Sequence, residues 1–155
     1  MGYDAAGVST GAEIAFNKLN MSETLSDLAA TVETLSVAGK VGVVGYCFGG
    51  LLAYLSANSL SGLACSVGYY GGGIAGVLDK KPKIPLMLHF GALDSHIPLS
   101  DVALIQEALP EVNVNIFPGA DHGFNCDQRA SYNAEAARTA LDQSLAFFAQ
   151  HLSGN

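Results

Sequence analysis

A thiol, a carboxylate and an imidazole occur in that order at Cys47, Asp94 and His122, each shortly after a short apolar run. Such groups can form a relay. The imidazole removes the thiol proton, and the carboxylate fixes the imidazole tautomer and steadies the imidazolium. The resulting chemistry is attack by sulfur on an electrophilic carbon. Cys47 has the strongest local setting, within Lys40–Gly50, KVGVVGYCFGG. Val41, Val43 and Val44 argue for a buried strand, the residues Gly45 to Gly50 for a tight turn, and the apolar run Leu51–Ala57 for a helix. A nucleophile at the apex of strand, turn and helix is a nucleophile elbow, here with Cys where Ser is usual. Crowding across so strained a turn calls for residues as small as Gly45 and Gly49, two positions either side of the apex. The helix N-terminus favours the thiolate. The backbone N–H of Phe48 points to where an oxyanion would form.

Each residue alone has a plainer reading. A Cys in an apolar stretch is more often a small core residue, and Asp94 suits its turn, Ala92-Leu93-Asp94-Ser95, without any catalytic role. His122 alone would be a loop histidine. Their order, nucleophile, acid, histidine, is that of the α/β-hydrolase fold, and it favours the catalytic reading. His96 is close enough to Asp94 to be a rival base, second to His122. His89 lies inside a strand and reads as core, His151 as solvent-facing on the last helix, and Cys65 as core. Cys126 follows His122 by four residues without a cluster that could hold a metal, and reads as incidental.

The elements that must position these groups follow from the pattern. Residues 1–20 read as a loosely ordered start with one short helix at Ala12–Leu19. A helix capped by Asn20 or Ser22 carries Leu25, Leu28, Ala29, Val32 and Leu35 at helical spacing and stops at Gly39. After the elbow come a strand at Ala64–Tyr69, a glycine loop, a short segment Ile74–Leu78, and a strand at Pro85–Gly91. A helix beginning at Pro98 or Ser100 presents Val102, Ile105, Ala108 and Leu109 and ends at Pro110. Asn113–Phe117 is a fourth strand. A last helix, about Asn133–Leu152, is expected to bury Ala137, Leu141, Leu145, Phe148 and Leu152. Strands separated mostly by helices imply an α/β fold, a parallel sheet of about four strands flanked by helices. Ligands bind beyond the carboxyl ends of such strands, where Cys47, Asp94 and His122 fall.

Length and composition narrow the class. A chain of 155 residues, half of them hydrophobic and 14% charged, is expected to form a single globular domain. The net charge of −7, with basic residues spread thinly, argues against nucleic acid or an anionic membrane as partner. There is no long apolar run, and MGYDAAGVST lacks a signal-peptide pattern. Ala6 stands where a myristoylation signal needs Ser or Thr. Three cysteines without framework spacing suit a reducing cytoplasm.

With these motifs in place, the chain resembles the dienelactone hydrolase (carboxymethylenebutenolidase) family, cysteine members of the α/β-hydrolase superfamily. The resemblance rests on Val43-Val44-Gly45-Tyr46-Cys47-Phe48-Gly49-Gly50, Tyr69-Tyr70-Gly71, Gly91-Ala92-Leu93-Asp94 with Ile97-Pro98, and Ala120-Asp121-His122-Gly123-Phe124, and it extends into Phe147–Leu152. It implies a cofactor-independent hydrolase without a metal, acting on a small-molecule lactone or ester through an acyl-enzyme on Cys47. Tyr70 and Phe124 are implied pocket residues, with aromatic packing the equal alternative. Arg129 is the first cation after His122 that could meet an anionic substrate group.

The resemblance also implies strands before the elbow that supply a second oxyanion donor and a glutamate contacting the resting cysteine. Here about twenty unclear residues and one helix stand there, so the chain reads as the C-terminal portion of the fold, a single N-terminally shortened domain. The elbow strand is then expected to have an open edge, covered by a further segment or by a homo-oligomer. Loss of one oxyanion donor would cost about a hundredfold in turnover. Two alternatives follow: an impaired hydrolase domain kept as a binding or oligomerisation module, and a DJ-1-like cysteine enzyme of glyoxalase or redox type.

Overall fold

The structure, a computed structural model, describes residues 4–153. Four parallel strands, β1 (Val41–Tyr46), β2 (Leu63–Tyr69), β3 (Leu86–Gly91) and β4 (Asn113–Phe117), lie side by side in sequence order. Parallel neighbours need crossovers, and α3 (Phe48–Ser59) and α4 (Leu99–Ala108) supply two of them. The link from β2 to β3 carries only a short 3-10 turn, Ile74–Gly76. This is the α/β fold with a four-strand sheet that the sequence predicts.

The core is laid down where apolar strands meet α3 and α4. Val67, Leu88, Phe90, Tyr54, Ile74, Val102 and Ile105 are all fully buried. α2 (Met21–Ser36) begins where expected, with Asn20 Oδ1 accepting from the N–H groups of Ser22 and Glu23. Its expected apolar stripe is only partly covered: Val32 is buried, Leu25 and Leu28 half-buried, and Ala29 and Leu35 exposed. The reason is topological. α2 packs beside β1 and α3, and β1 is the edge of the sheet.

Three further expectations change. The start is helical earlier than the sequence suggests: α1 (Ala5–Glu13) runs into a π-helical turn, Ile14–Lys18, instead of a single helix at 12–19. Asp4 nucleates it, its Oδ1 accepting from the Gly7 N–H at 2.7 Å; the first three residues of the expected loose start lie outside the described residues. α5 (Ala134–Leu152) turns a different face inward. It buries Ala136, Ala137, Ala140 and Ser144, while Leu141 and Leu145 stay exposed at 49% and 56%. The helix crosses β1, β2 and β3 closely enough that Phe148 sits where a Cβ on Gly42 would be. Small side chains permit that approach; leucines there would hold the helix off the sheet. His151, expected to face solvent, is half-buried with its ring 4.5 Å from that of Phe147. Among the described residues no helix is long and apolar enough to cross a membrane.

Candidate active site

Cys47 sits between β1 and α3 at φ +55°, ψ −118°. That region is costly for a residue with a Cβ, and the surroundings enforce it. The Cys47 N–H donates to the Tyr69 carbonyl at 3.0 Å, and the Cys47 carbonyl accepts from Gly50 N–H at 2.8 Å. A Cβ on Gly45 would overlap the Gly49 carbonyl, as the elbow argument requires. The second tight position is Gly50 rather than Gly49. A Cβ on Gly50 would lie 2.5 Å from the Tyr69 carbonyl oxygen and 2.9 Å from the Gly71 Cα, whereas one on Gly49 would meet nothing within 4 Å.

Asp94 follows β3 and His122 follows β4, and the fold brings both to Cys47. His122 Nε2 is 3.1 Å from Cys47 Sγ, and His122 Nδ1 is 2.8 Å from Asp94 Oδ2. The Asp94 side chain is fully buried and that of His122 only 12% exposed. The other Asp94 oxygen accepts from the N–H groups of His96 and Ile97 at 2.9 and 3.1 Å. Asp121 Oδ1 accepts from the His122 N–H at 2.6 Å. Both oxygens of the buried Asp94 carboxylate are therefore engaged, and the Nδ1–H tautomer of His122 leaves Nε2 free to take the thiol proton.

The electrostatics follow from these contacts. The hydrogen bond from His122 pulls the Cys47 thiol below its ordinary range against an opposing push from burial; His122 charge, the Phe48 N–H and Arg129 add to the lowering. Burial alone would lower His122, but its bonds to Cys47 and Asp94 outweigh burial and raise it. Thiol and imidazole thus shift toward a thiolate–imidazolium pair. Phe48, first residue of α3, directs its N–H at the sulfur side of the elbow.

The remaining residues singled out from sequence separate by burial. Tyr70 takes a positive φ of +37°, unusual for a side chain of this size, and its N–H donates to the His89 carbonyl at 2.7 Å. Its ring is 5.2 Å from His122, and burial drives its phenol upward. Phe124 is completely buried against Phe117 and Tyr70, so its part is packing beneath the site. Arg129 is half-buried over Gly123 and lines an open groove of about 690 Å³ with Val8, Ser9, Asp121 and Gln128. His89 is a core residue, its Nε2 3.0 Å from Ser144 Oγ. Cys65 is buried, with its thiol pushed up to about 11 by desolvation. Cys126 is half-buried, and no group of His, Cys, Asp or Glu able to hold a metal occurs among the described residues.

Sequence reasoning missed the wall that the N-terminal segment contributes. Val8 and Ser9 of α1 face the Arg129 groove, and Phe16 in the π turn meets Phe48 edge-on at 5.4 Å. Two glycines in α1, Gly7 and Gly11, hid the helix; a π turn, which often marks functional sites, has no clear sequence signature.

The chain has recognisable relatives. The sequence profile of the dienelactone hydrolase family matches residues 6–152. A Synechocystis sp. protein named "Putative carboxymethylenebutenolidase" is 38% identical over 170 residues, covering 97% of this chain and 68% of its own length. The carboxymethylenebutenolidase of Pseudomonas putida is 39% identical over 116 residues, covering 72% of this chain and 49% of its own. A Klebsiella pneumoniae crystal structure, "Putative Dienelactone Hydrolase", superposes with a TM-score of 0.78 at 29% identity, over 86% of this chain and 63% of that one. The chain therefore spans about half to two thirds of the length of these relatives.

Proposed function

The chain belongs to the dienelactone hydrolase family, and on that premise we propose that it hydrolyses a small lactone or ester through Cys47. The observation that carries this reading is the unbroken line from Asp94 Oδ2 through His122 to Cys47 Sγ. His122 Nε2 takes the thiol proton as Sγ attacks the carbonyl carbon. The carbonyl oxygen becomes an oxyanion facing the Phe48 N–H. Collapse breaks the ring or ester C–O bond, and the leaving oxygen receives the proton from His122. The product at this stage is a thioester on Cys47. Water, deprotonated by His122, then attacks the same carbon, releases a carboxylate and returns the thiol. Tyr70 borders the reacting centre, and Arg129, whose charge helps lower the Cys47 pKa, would attract an anionic group on the substrate. No resident cofactor or metal takes part in these steps.

The test is turnover of an enol-lactone and an activated aryl ester by wild type, Cys47→Ala and His122→Ala. Stoichiometric alkylation of Cys47 should abolish turnover. Equal rates in wild type and Cys47→Ala would end the proposal.

One observation favours a second reading, in which the domain serves as a binding or oligomerisation module. β1 pairs only with β2 among the described residues, and Val44 and Tyr46 on it are 44% and 43% exposed. An apolar strand edge of this kind invites another strand. Sedimentation showing a monomer at all concentrations, together with measurable turnover, would count against this reading.

A further inference from the structure

His122 stands on an irregular loop after β4, yet its imidazole is held in one orientation. Its two hydrogen bonds fix the ends of the ring, Nδ1 on Asp94 and Nε2 on Cys47. With the Cβ tether these bonds define the ring plane, but each tolerates bending, so groups packed beside the ring add to the restraint. Two rings are in place. Tyr70 is 5.2 Å away at 60° to the imidazole, and His96 is 5.2 Å away at 75°, edge to face. Tyr70 is buried, whereas His96 is exposed.

The position of His96 is itself fixed. Asp94 Oδ1 accepts from the N–H groups of His96 and Ile97, and the Ile97 side chain is buried. One carboxylate therefore anchors the backbone under the His96 ring with one oxygen and the His122 imidazole with the other. Among the described residues the His96 ring makes no hydrogen bond to Cys47 or to the Asp94 carboxylate, which removes it as a rival base.

We propose that His96 is a positioning residue for the reaction: its exposed ring forms one wall of a clamp, completed by Tyr70, that keeps His122 on the line from Asp94 to Cys47. The two rings meet edge to face, so packing rather than protonation does the holding. This rests on the catalytic reading of Cys47, Asp94 and His122 given above.

The experiment compares His96→Ala and His96→Phe with wild type, by steady-state kinetics and by the downfield proton resonance of the His122 Nδ1–H. The ring is exposed, so neither change removes core packing. In His96→Ala, kcat is expected to fall about tenfold, with KM within about twofold, since loosened orientation weakens the transition state more than substrate binding. The Nδ1–H resonance should broaden or vanish. In His96→Phe both should return to near wild type. A His96→Ala protein with unchanged kcat and resonance overturns the clamp; so does a His96→Phe protein as impaired as His96→Ala. Should wild type and Cys47→Ala turn over substrate equally, the catalytic reading fails, while the resonance in His96→Ala still decides the clamp without any turnover.

Discussion

Gly91, the last residue of β3, packs directly on the Ala120 carbonyl. A Cβ at Gly91 would overlap that oxygen and stand 2.8 Å from its carbon. The same oxygen accepts from the Leu93 N–H at 2.9 Å, and the Phe117 carbonyl accepts from the Ala92 N–H at 3.0 Å. The turn carrying Asp94 and the loop carrying His122 are thus joined backbone to backbone. Their 2.8 Å side-chain contact inherits its geometry from this seam.

Gly91→Ala should therefore lower turnover without touching the side chain of Cys47, Asp94 or His122. The methyl must push Ala120, and with it His122, away from Asp94. A displacement near 1 Å at a reacting group can cost about a hundredfold, and overpacking about 1–3 kcal/mol. Steady-state kinetics and thermal melting should show both losses. Gly49→Ala is the contrasting case: open space surrounds its Cβ, so it should stabilise α3 by about 0.5 kcal/mol. A Gly91→Ala protein with wild-type kinetics would refute the seam.

The thiolate prediction has a definite sign. The leading cause of the lowered Cys47 pKa is its hydrogen bond to His122, while burial pushes upward. His122→Ala removes the first and leaves much of the second, so the pH at which Cys47 becomes reactive must move up. Alkylation rate against pH, or thiolate absorbance near 240 nm, reads this directly. In wild type at neutral pH, Cys47 should react well before Cys65, whose buried thiol lies at about 11. Superimposable pH profiles for wild type and His122→Ala would contradict the coupling.

Much of this was legible in the sequence, for identifiable reasons. Short, largely apolar runs bounded by glycine and proline mark the strands, and β4 falls at the expected residues, Asn113–Phe117. Asp94 and His122 were legible because strand-end loops of a parallel sheet converge in space. Depth was harder to read. Hydrophobicity marks a helix face but does not say how close a sheet lies, so Leu141 and Leu145 looked like better core than Ala140 and Ser144. Aromatic character could not separate Phe124, sealed beneath the site, from Tyr70, beside His122. The crowding at Gly50 depends on Tyr69 and Gly71, brought there only by the crossover.

The inward face of α5 can be tested by a pair of opposite substitutions. Ala140 is fully buried, so Ala140→Leu must lift the helix from the sheet, at a cost of about 1–3 kcal/mol or more. Leu145 is exposed, and Leu145→Ala should change stability by only about 0.5 kcal/mol. Denaturant melts distinguish the two. The reverse ranking would restore the face expected from sequence.

Acid stability should be limited by His89, which lies fully buried and away from the reacting atoms. Ser144 Oγ donates to the Ala140 carbonyl at 2.8 Å, so it accepts from the Tyr69 hydroxyl at 2.7 Å and from His89 Nε2–H at 3.0 Å. That tautomer leaves His89 Nδ1 bare and buried, without a partner among the described residues. A proton added there would create a cation with nothing to accept its N–H, and burial accordingly lowers the pKa to about 4. The unfolded chain binds this proton near pH 6.5 and the folded chain only near 4, so folding stability falls as pH drops through that window. The loss should total about 3 kcal/mol by pH 4. His89→Gln keeps an amide donor for Ser144 and cannot take up the proton. Whatever its stability at neutral pH, its Tm should fall less steeply between pH 6.5 and 4 than that of wild type. Parallel Tm curves for the two proteins across that range would remove His89 as the acid-sensitive group.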